Sequence, residues 1–142
     1  MPKVVQEKTM AVSPEALRAA ITDFKSYPEF VAEVVSAKAQ KPKGGKQKVS
    51  FQIEVIKSFE YTLEFDLSRE NEIHWKLVDS NFFTTNEGAW ILTPAKGGKT
   101  KVRYELEVGV KFLVPGFVAK KLTEVSLPKL LESFEERAKT LH

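Results

Sequence analysis

The sequence predicts an α+β domain in which one antiparallel sheet packs its apolar face against a long C-terminal helix. Three observations predict it. Apolar residues alternate with polar ones through most of residues 49–110, short glycine- or charge-rich connections separate these runs, and beyond residue 115 the spacing changes to three and four. Alternation gives strands with one wet face, and short connections make them antiparallel neighbours. The dry face then needs a covering layer.

Residues 3–12 permit a first strand with Val4 or Val5 inward. Ser13-Pro14-Glu15 reads as a helix start, since serine caps the free amides and proline suits the first helical position. Leu17, Ala20, Ile21 and Phe24 fall at helical spacing, so this helix is expected to end near Asp23. The stretch "DFKSYPEFV" (23–31) follows. Pro28 fixes its own backbone and disfavours the helical region for Tyr27. A bend between two short helices is expected, with Phe24 and Phe30 as packing anchors and the polar tip of Tyr27 towards a cavity.

Strands are then expected around Val49, Phe51, Ile53 and Val55; Phe59, Tyr61, Leu63, Phe65 and Leu67; and Ile73, Trp75 and Leu77. Two more carry Trp90 and Leu92 (88–93), and Val102, Tyr104, Leu106, Val108 and Val110. Connections at 42–46, 69–72 and 95–99 make the set a meander. From 115 to 141, Val118, Leu122, Val125, Leu127, Leu130, Leu131, Phe134, Ala138 and Leu141 recur at helical intervals around Pro128. A mid-helix proline costs about 3 kcal/mol, against about 1.5–3 kcal/mol returned by each large apolar side chain buried. A bent helix is therefore expected.

With 142 residues, 42% of them hydrophobic, the chain is long enough for one domain with a substantial core, expected to span residues 1–142. The absence of cysteine excludes disulfides and thiolate chemistry and fits a reducing compartment. Residues 1–9 are charged and no run approaches a membrane span, so a cytoplasmic location without a secretory leader is expected. Net charge is +3, with basic clusters around Gly44-Gly45 and Gly97-Gly98. These read as solvated hairpin tips or as a contact for an anionic partner.

Catalytic chemistry is thinly represented. His74 alternates with Ile73 and Trp75 and so falls on the wet face, and His142 is terminal. No acid or histidine grouping has metal-ligand spacing, and neither glycine pair sits in a phosphate-binding context. No metal, cofactor or catalytic residue is expected.

Three segments carry a family resemblance: "SPEALRAAITDFKSYPEF", "EGAWILTPAKGGKTKVRYEL" and "VPGFVAKKLTEVSLPKLLESFEERA". In this order the chain resembles the START-like (SRPBCC, helix-grip) superfamily, in particular its polyketide cyclase/dehydrase and coenzyme Q-binding branch. The coenzyme Q-binding group continues its Tyr-Pro-x-Phe motif with a further proline, where this chain has Val31. The resemblance implies a Bet v-like helix-grip domain with a ligand cavity between sheet and helix.

Phe51, Ile53, Val55, Tyr61, Leu63, Phe65, Trp75, Leu77, Trp90, Leu92, Tyr104, Leu106 and Val108 share the dry face. With Leu122 from the helix they are the expected cavity lining, either filling the space or surrounding a ligand. Tyr61 and Tyr104 are either hydrogen-bond donors to a ligand carbonyl or core tyrosines. By hairpin parity the connections near residues 58, 81 and 114 share one end of the sheet, which collects Phe82, Phe83, Phe112 and Phe117. Together with Tyr27 these are the expected cavity mouth, either a gate making transient membrane contact or a plug.

The function read from this is non-catalytic binding or transport of a hydrophobic small molecule: an isoprenoid quinone, a lipid or a polyketide-like compound. One alternative is a cyclase or aromatase-type enzyme, which needs an inward ionisable group where the pattern offers only tyrosines. The other is a ribosome- or RNA-associating protein using the lysine-rich end; the small net charge makes nucleic acid the weaker partner.

Overall fold

The computed structural model describes residues 3–54, 58–110 and 127–141. Strand β1 (Lys3–Met10) alternates exposed and more buried positions, with Val4 inward and Val5 outward. Ser13 then caps helix α1 (Pro14–Thr22), its hydroxyl accepting the Ala16 N–H at 3.1 Å, and Pro14 lies in the first turn. The cap satisfies one of the amides that a helix start leaves without a partner. Ala16, Leu17, Ala20 and Ile21 bury one stripe of this helix.

The chain breaks at Asp23, where ψ is 65°, makes a 3-10 turn over Phe24–Ser26 and enters the short helix α2 (Tyr27–Phe30). The two short helices and the end of α1 near Asp23 are as expected, but the bend lies at Asp23 and not at the Tyr27-Pro28 step, which is helical. Tyr27 stays helical at φ −52°, ψ −40° despite the proline that follows. Its local preference is overridden by packing. The ring meets Phe24, Phe30, Phe51 and Phe134 at centroid distances of 5.7, 5.6, 5.7 and 5.2 Å, and its carbonyl accepts the Val31 N–H at 2.8 Å.

Six further strands follow: β2 (Val34–Ala39), β3 (Lys46–Glu54), β4 (Ser58–Asp66), β5 (Glu72–Ser80), β6 (Phe83–Ala95) and β7 (Lys99–Val110). They form one seven-stranded sheet in the order β1-β7-β6-β5-β4-β3-β2, with antiparallel pairing throughout. The meander is as expected, and β1 joins it beside the last strand. Register shifts between Val34 and Ser36, Thr62 and Leu63, and Phe83 and Thr85 mark where the sheet bends. The first of them hid β2 from its sequence: Val34 is buried and Val35 is 47% exposed, and the interrupted alternation leaves no two-residue pattern to read.

The β2–β3 turn is a two-residue hairpin. Gly44 and Gly45 have φ of 61° and 79°, while Lys43 and Lys46 exchange backbone hydrogen bonds of 2.7 and 3.1 Å. Positive φ at both central residues requires glycine-like freedom and matches the twist of the paired strands. Bonds from Leu67 N–H to the Gly45 carbonyl (2.7 Å) and from Leu92 N–H to the Asn71 carbonyl (2.8 Å) stitch the β2–β3 turn, the β4–β5 turn and β6 together at one end.

Helix α3 is described over Leu127–Ala138 and buries Leu127, Leu131, Phe134, Glu135 and Ala138. It packs against α1 and α2 and against β1, with Phe134 set among Tyr27, Phe30 and Trp90. The helix stops before Leu141, which is 37% exposed, because Thr140 and Leu141 N–H turn back onto the Arg137 and Ala138 carbonyls. Its expected earlier part and the bend at Pro128 involve residues 115–126, outside the described residues, as do Val55, Phe112, Phe117 and Leu122. Glu135 ties α3 to β1: it accepts the Ala11 N–H at 2.9 Å and pairs with Lys8 at 2.7 Å. The curved sheet closed against the C-terminal helix is a helix-grip fold of the START/Bet v type.

Candidate functional site

The interior face of β3 to β7 carries the residues expected to line a cavity. Phe51, Leu63, Phe65, Trp75, Trp90, Leu92 and Tyr104 are buried, and Ile53, Tyr61, Leu77, Leu106 and Val108 are half-buried. Register explains their convergence. Phe51 faces Tyr61 across β3–β4, Phe65 faces Trp75 across β4–β5, and Trp90 faces Tyr104 across β6–β7. Such cross-strand pairs hold side chains on one face.

The rings make a closed circuit. Tyr27 touches Phe51 (5.7 Å between centroids), Phe51 touches Phe65 (6.3 Å), Phe65 touches Trp75 (6.0 Å) and Trp75 touches Tyr104 (5.6 Å). From Tyr104 the contacts continue to Trp90 (4.8 Å), Phe134 (5.0 Å) and back to Tyr27 (5.2 Å). Sheet, short helices and C-terminal helix each contribute. Tilted and edge-on pairs of this kind add to the burial of the rings themselves.

Tyr27 departs from its expected place at a cavity mouth. It is buried, and its hydroxyl donates to the Ile21 carbonyl at 2.5 Å, so its polar tip is spent on closing α1. Phe82 and Phe83 do come together with the sheet interior. Phe82 stacks on Phe59 at 4.0 Å, Phe83 meets Phe82 at 4.9 Å, and Phe83 sits edge-on to Tyr61 at 5.1 Å. The Ser80 hydroxyl accepts the N–H groups of both, at 2.9 and 2.8 Å. This fixes the aromatic pair on a tied turn.

One interior residue escaped the sequence reading. Asn86 is buried and accepts the Trp75 indole N–H at 3.1 Å. Its signal was its place four residues before Trp90, on the same strand face. The expected strand began at residue 88, whereas β6 begins at Phe83.

Burial pushes the Tyr61 and Tyr104 hydroxyls well above the ordinary phenol range, with Glu33 adding to the first and Tyr61 to the second. Tyr27 is raised by burial and then by Tyr104 and Tyr61. All three remain protonated near neutral pH, and Tyr27 donates to the Ile21 carbonyl. His74 is on the wet face, as expected, with Nε2 2.8 Å from Glu72 and 3.2 Å from Arg69. The hydrogen bond from His74 is the main reason Glu72 lies below the usual carboxylate range. Among the described residues no group of three or more His, Cys, Asp or Glu is placed to hold a metal ion, and no helix is long and apolar enough to cross a membrane.

The family "Polyketide cyclase / dehydrase and lipid transport" matches residues 10–135. No curated protein is significantly similar in sequence. Among solved structures, a START superfamily protein from Mycobacterium smegmatis superimposes with a TM-score of 0.85 at 24% identity, covering 99% of each chain. TTHA0849 from Thermus thermophilus gives 0.83 at 22% identity over 98% of each chain. The Zhui aromatase/cyclase from Streptomyces sp. R1128 gives 0.82 at 12% identity, over 97% of this chain and 93% of its own. These likenesses carry the fold. The sequence match runs from the end of β1 into α3, and on it the chain belongs to the polyketide cyclase/dehydrase and lipid transport family.

Proposed function

We propose that this protein binds a hydrophobic small molecule between the interior face of its sheet and its C-terminal helix, without transforming it. One observation carries the reading: the closed circuit of rings around the interior, whose polar additions are phenols and a carboxamide. Such a lining rewards an apolar guest and orients it through few polar contacts. A cyclase needs an inward acid or base near neutral pH, and the phenols are held protonated by burial.

The ligand class is an isoprenoid quinone, a lipid or a polyketide-like compound. Phe51, Leu63, Phe65, Trp75, Trp90 and Tyr104 line its site, with Phe82 and Phe83 at the mouth, where membrane contact brings the ligand in. A cysteine-free chain suits cytoplasmic work of this kind. The test is native mass spectrometry of the purified protein, followed by extraction and identification of co-purified lipophiles. A bound apolar molecule displaced by a hydrophobic competitor is expected; a ligand-free protein that also takes up no hydrophobic probe overturns the reading.

A further inference from the structure

A carboxamide on the dry face of a sheet has to be accounted for. Asn86, 8% exposed, shares the interior face of β6 with Gly88 and Trp90, where an apolar side chain would be buried at less cost. Its side-chain oxygen accepts the indole N–H of Trp75, on the neighbouring strand β5, at 3.1 Å. The contact satisfies an indole donor that burial would otherwise leave unpaired.

Gly88 completes the arrangement. It faces Trp75 in the β5–β6 register, and the indole carbons Cζ2 and Cη2 occupy the space that a side chain there would take. The ring therefore lies across β6 with its six-membered part over Gly88 and its N–H edge on Asn86, two residues away. The χ2 torsion of an indole has two broad wells, roughly a half-turn apart. A hydrogen bond to one edge selects between them.

The selection matters because of where the ring stands. Trp75 joins Phe65 on β4, at 6.0 Å between centroids, to Tyr104 on β7, at 5.6 Å, and so connects the two sides of the ring circuit. Trp90, by contrast, is set edge-on against Tyr104 and Phe134, at 4.8 and 5.0 Å. We infer that Asn86 is a positioning residue of the ligand site: through the indole N–H it holds Trp75 in the orientation that lines the site between Phe65 and Tyr104. The inference rests on the binding function proposed above and adds a residue that acts on the ligand only through another side chain. Such preorganisation raises affinity because binding no longer has to order the ring.

A double-mutant cycle tests this, with the fluorescent apolar probe N-phenyl-1-naphthylamine titrated against the full chain, Asn86→Leu, Trp75→Phe and the double variant. Asn86→Leu keeps the bulk of the side chain and removes the acceptor. It is expected to weaken the probe by about threefold to tenfold in the parent, the range of one neutral hydrogen bond, and by less than about 1.5-fold in the Trp75→Phe background. A loss of equal size in both backgrounds, or none in either, overturns the inference and leaves hydrophobic binding standing. If the parent does not bind the probe, both readings fall.

Nuclear magnetic resonance reads the hydrogen bond itself. The two tryptophans give two indole N–H signals, told apart by Trp75→Phe. In Asn86→Leu the Trp75 signal should move to lower proton frequency and exchange faster with solvent, while that of Trp90 stays in place; an unmoved Trp75 signal overturns the inference. The parent alone supplies a check that needs no variant to fold for its outcome: of its two indole signals, at least one must exchange far more slowly than a free indole, and fast exchange of both removes the hydrogen bond on which the positioning depends.

Discussion

Trp75 and Gly88 face each other across β5 and β6, and the indole occupies the space where a side chain on residue 88 would begin. A Cβ there would lie 2.7 Å from Cζ2 and 3.0 Å from Cη2 of Trp75, and would also collide with the Glu105 carbonyl on β7. A side chain gives way more readily than a sheet backbone. Gly88→Ala is therefore expected to displace the indole, strain the β6–β7 pairing and cost about 3 kcal/mol, the upper end of ordinary overpacking. Urea unfolding with tryptophan emission reads both effects; an unchanged midpoint and spectrum would contradict the close approach.

Phe134 joins the two halves of the fold. It is 2% exposed and meets Tyr27, Phe30 and Trp90 edge-on. Truncation leaves a cavity bounded by rings that cannot easily collapse, so Phe134→Ala should cost about 3–5 kcal/mol. Leu141→Ala, at an exposed position past the helix end, should cost less than about 0.5 kcal/mol in the same denaturation series.

The clamp between α3 and β1 makes stability depend on acidity. Burial by itself would raise Glu135, but the hydrogen bonds from Lys8 and the Ala11 N–H and the nearby ammonium charges hold it below the usual carboxylate range. A folded-state value below the unfolded one stabilises the protein above the unfolded pKa, about 4.3, and this contribution is lost as pH falls through the folded value. Glu135→Gln should therefore lower the urea midpoint at pH 7, and the gap to the parent should narrow below about pH 4. A gap of constant size across that window would remove the linkage.

At the aromatic mouth, Phe82→Ser combined with Phe83→Ser removes the pair that packs on Phe59 and Tyr61. Stopped-flow uptake of 1,6-diphenylhexatriene should change by about threefold or more in rate, while far-ultraviolet circular dichroism stays the same, if these rings gate entry. Uptake at the parental rate would mark them as a plug.

Much of this architecture was legible because its strands follow a simple rule. Val49 to Phe65 and Val102 to Val110 alternate cleanly, and Ser13-Pro14 marks a helix start that the cap geometry repeats. What the rule could not reach were its interruptions. The bulge at Val34–Ser36 hid β2, and the proline after Tyr27 points to a non-helical backbone there because local preference carries no term for the rings around it. The dry face was readable residue by residue, since parity alone puts Trp75, Trp90 and Tyr104 together. Asn86 was not, because a polar residue on that face becomes intelligible only once the indole N–H across the strand is seen to need an acceptor.

The pairing of β1 with β7 sets an order of events for a chain made from its N-terminus. Lys3 must wait for Glu107, the Val12 carbonyl for the Thr100 hydroxyl at 2.8 Å, and the Ala11 N–H for Glu135. The meander from β2 to β7 needs only near neighbours and can zip up first, leaving β1 the last strand to dock. During synthesis it is thus a bare edge for longer than any other strand. Lys3, Glu7 and Lys8, spaced along it, put charge on the stretch most exposed to pairing with another nascent chain.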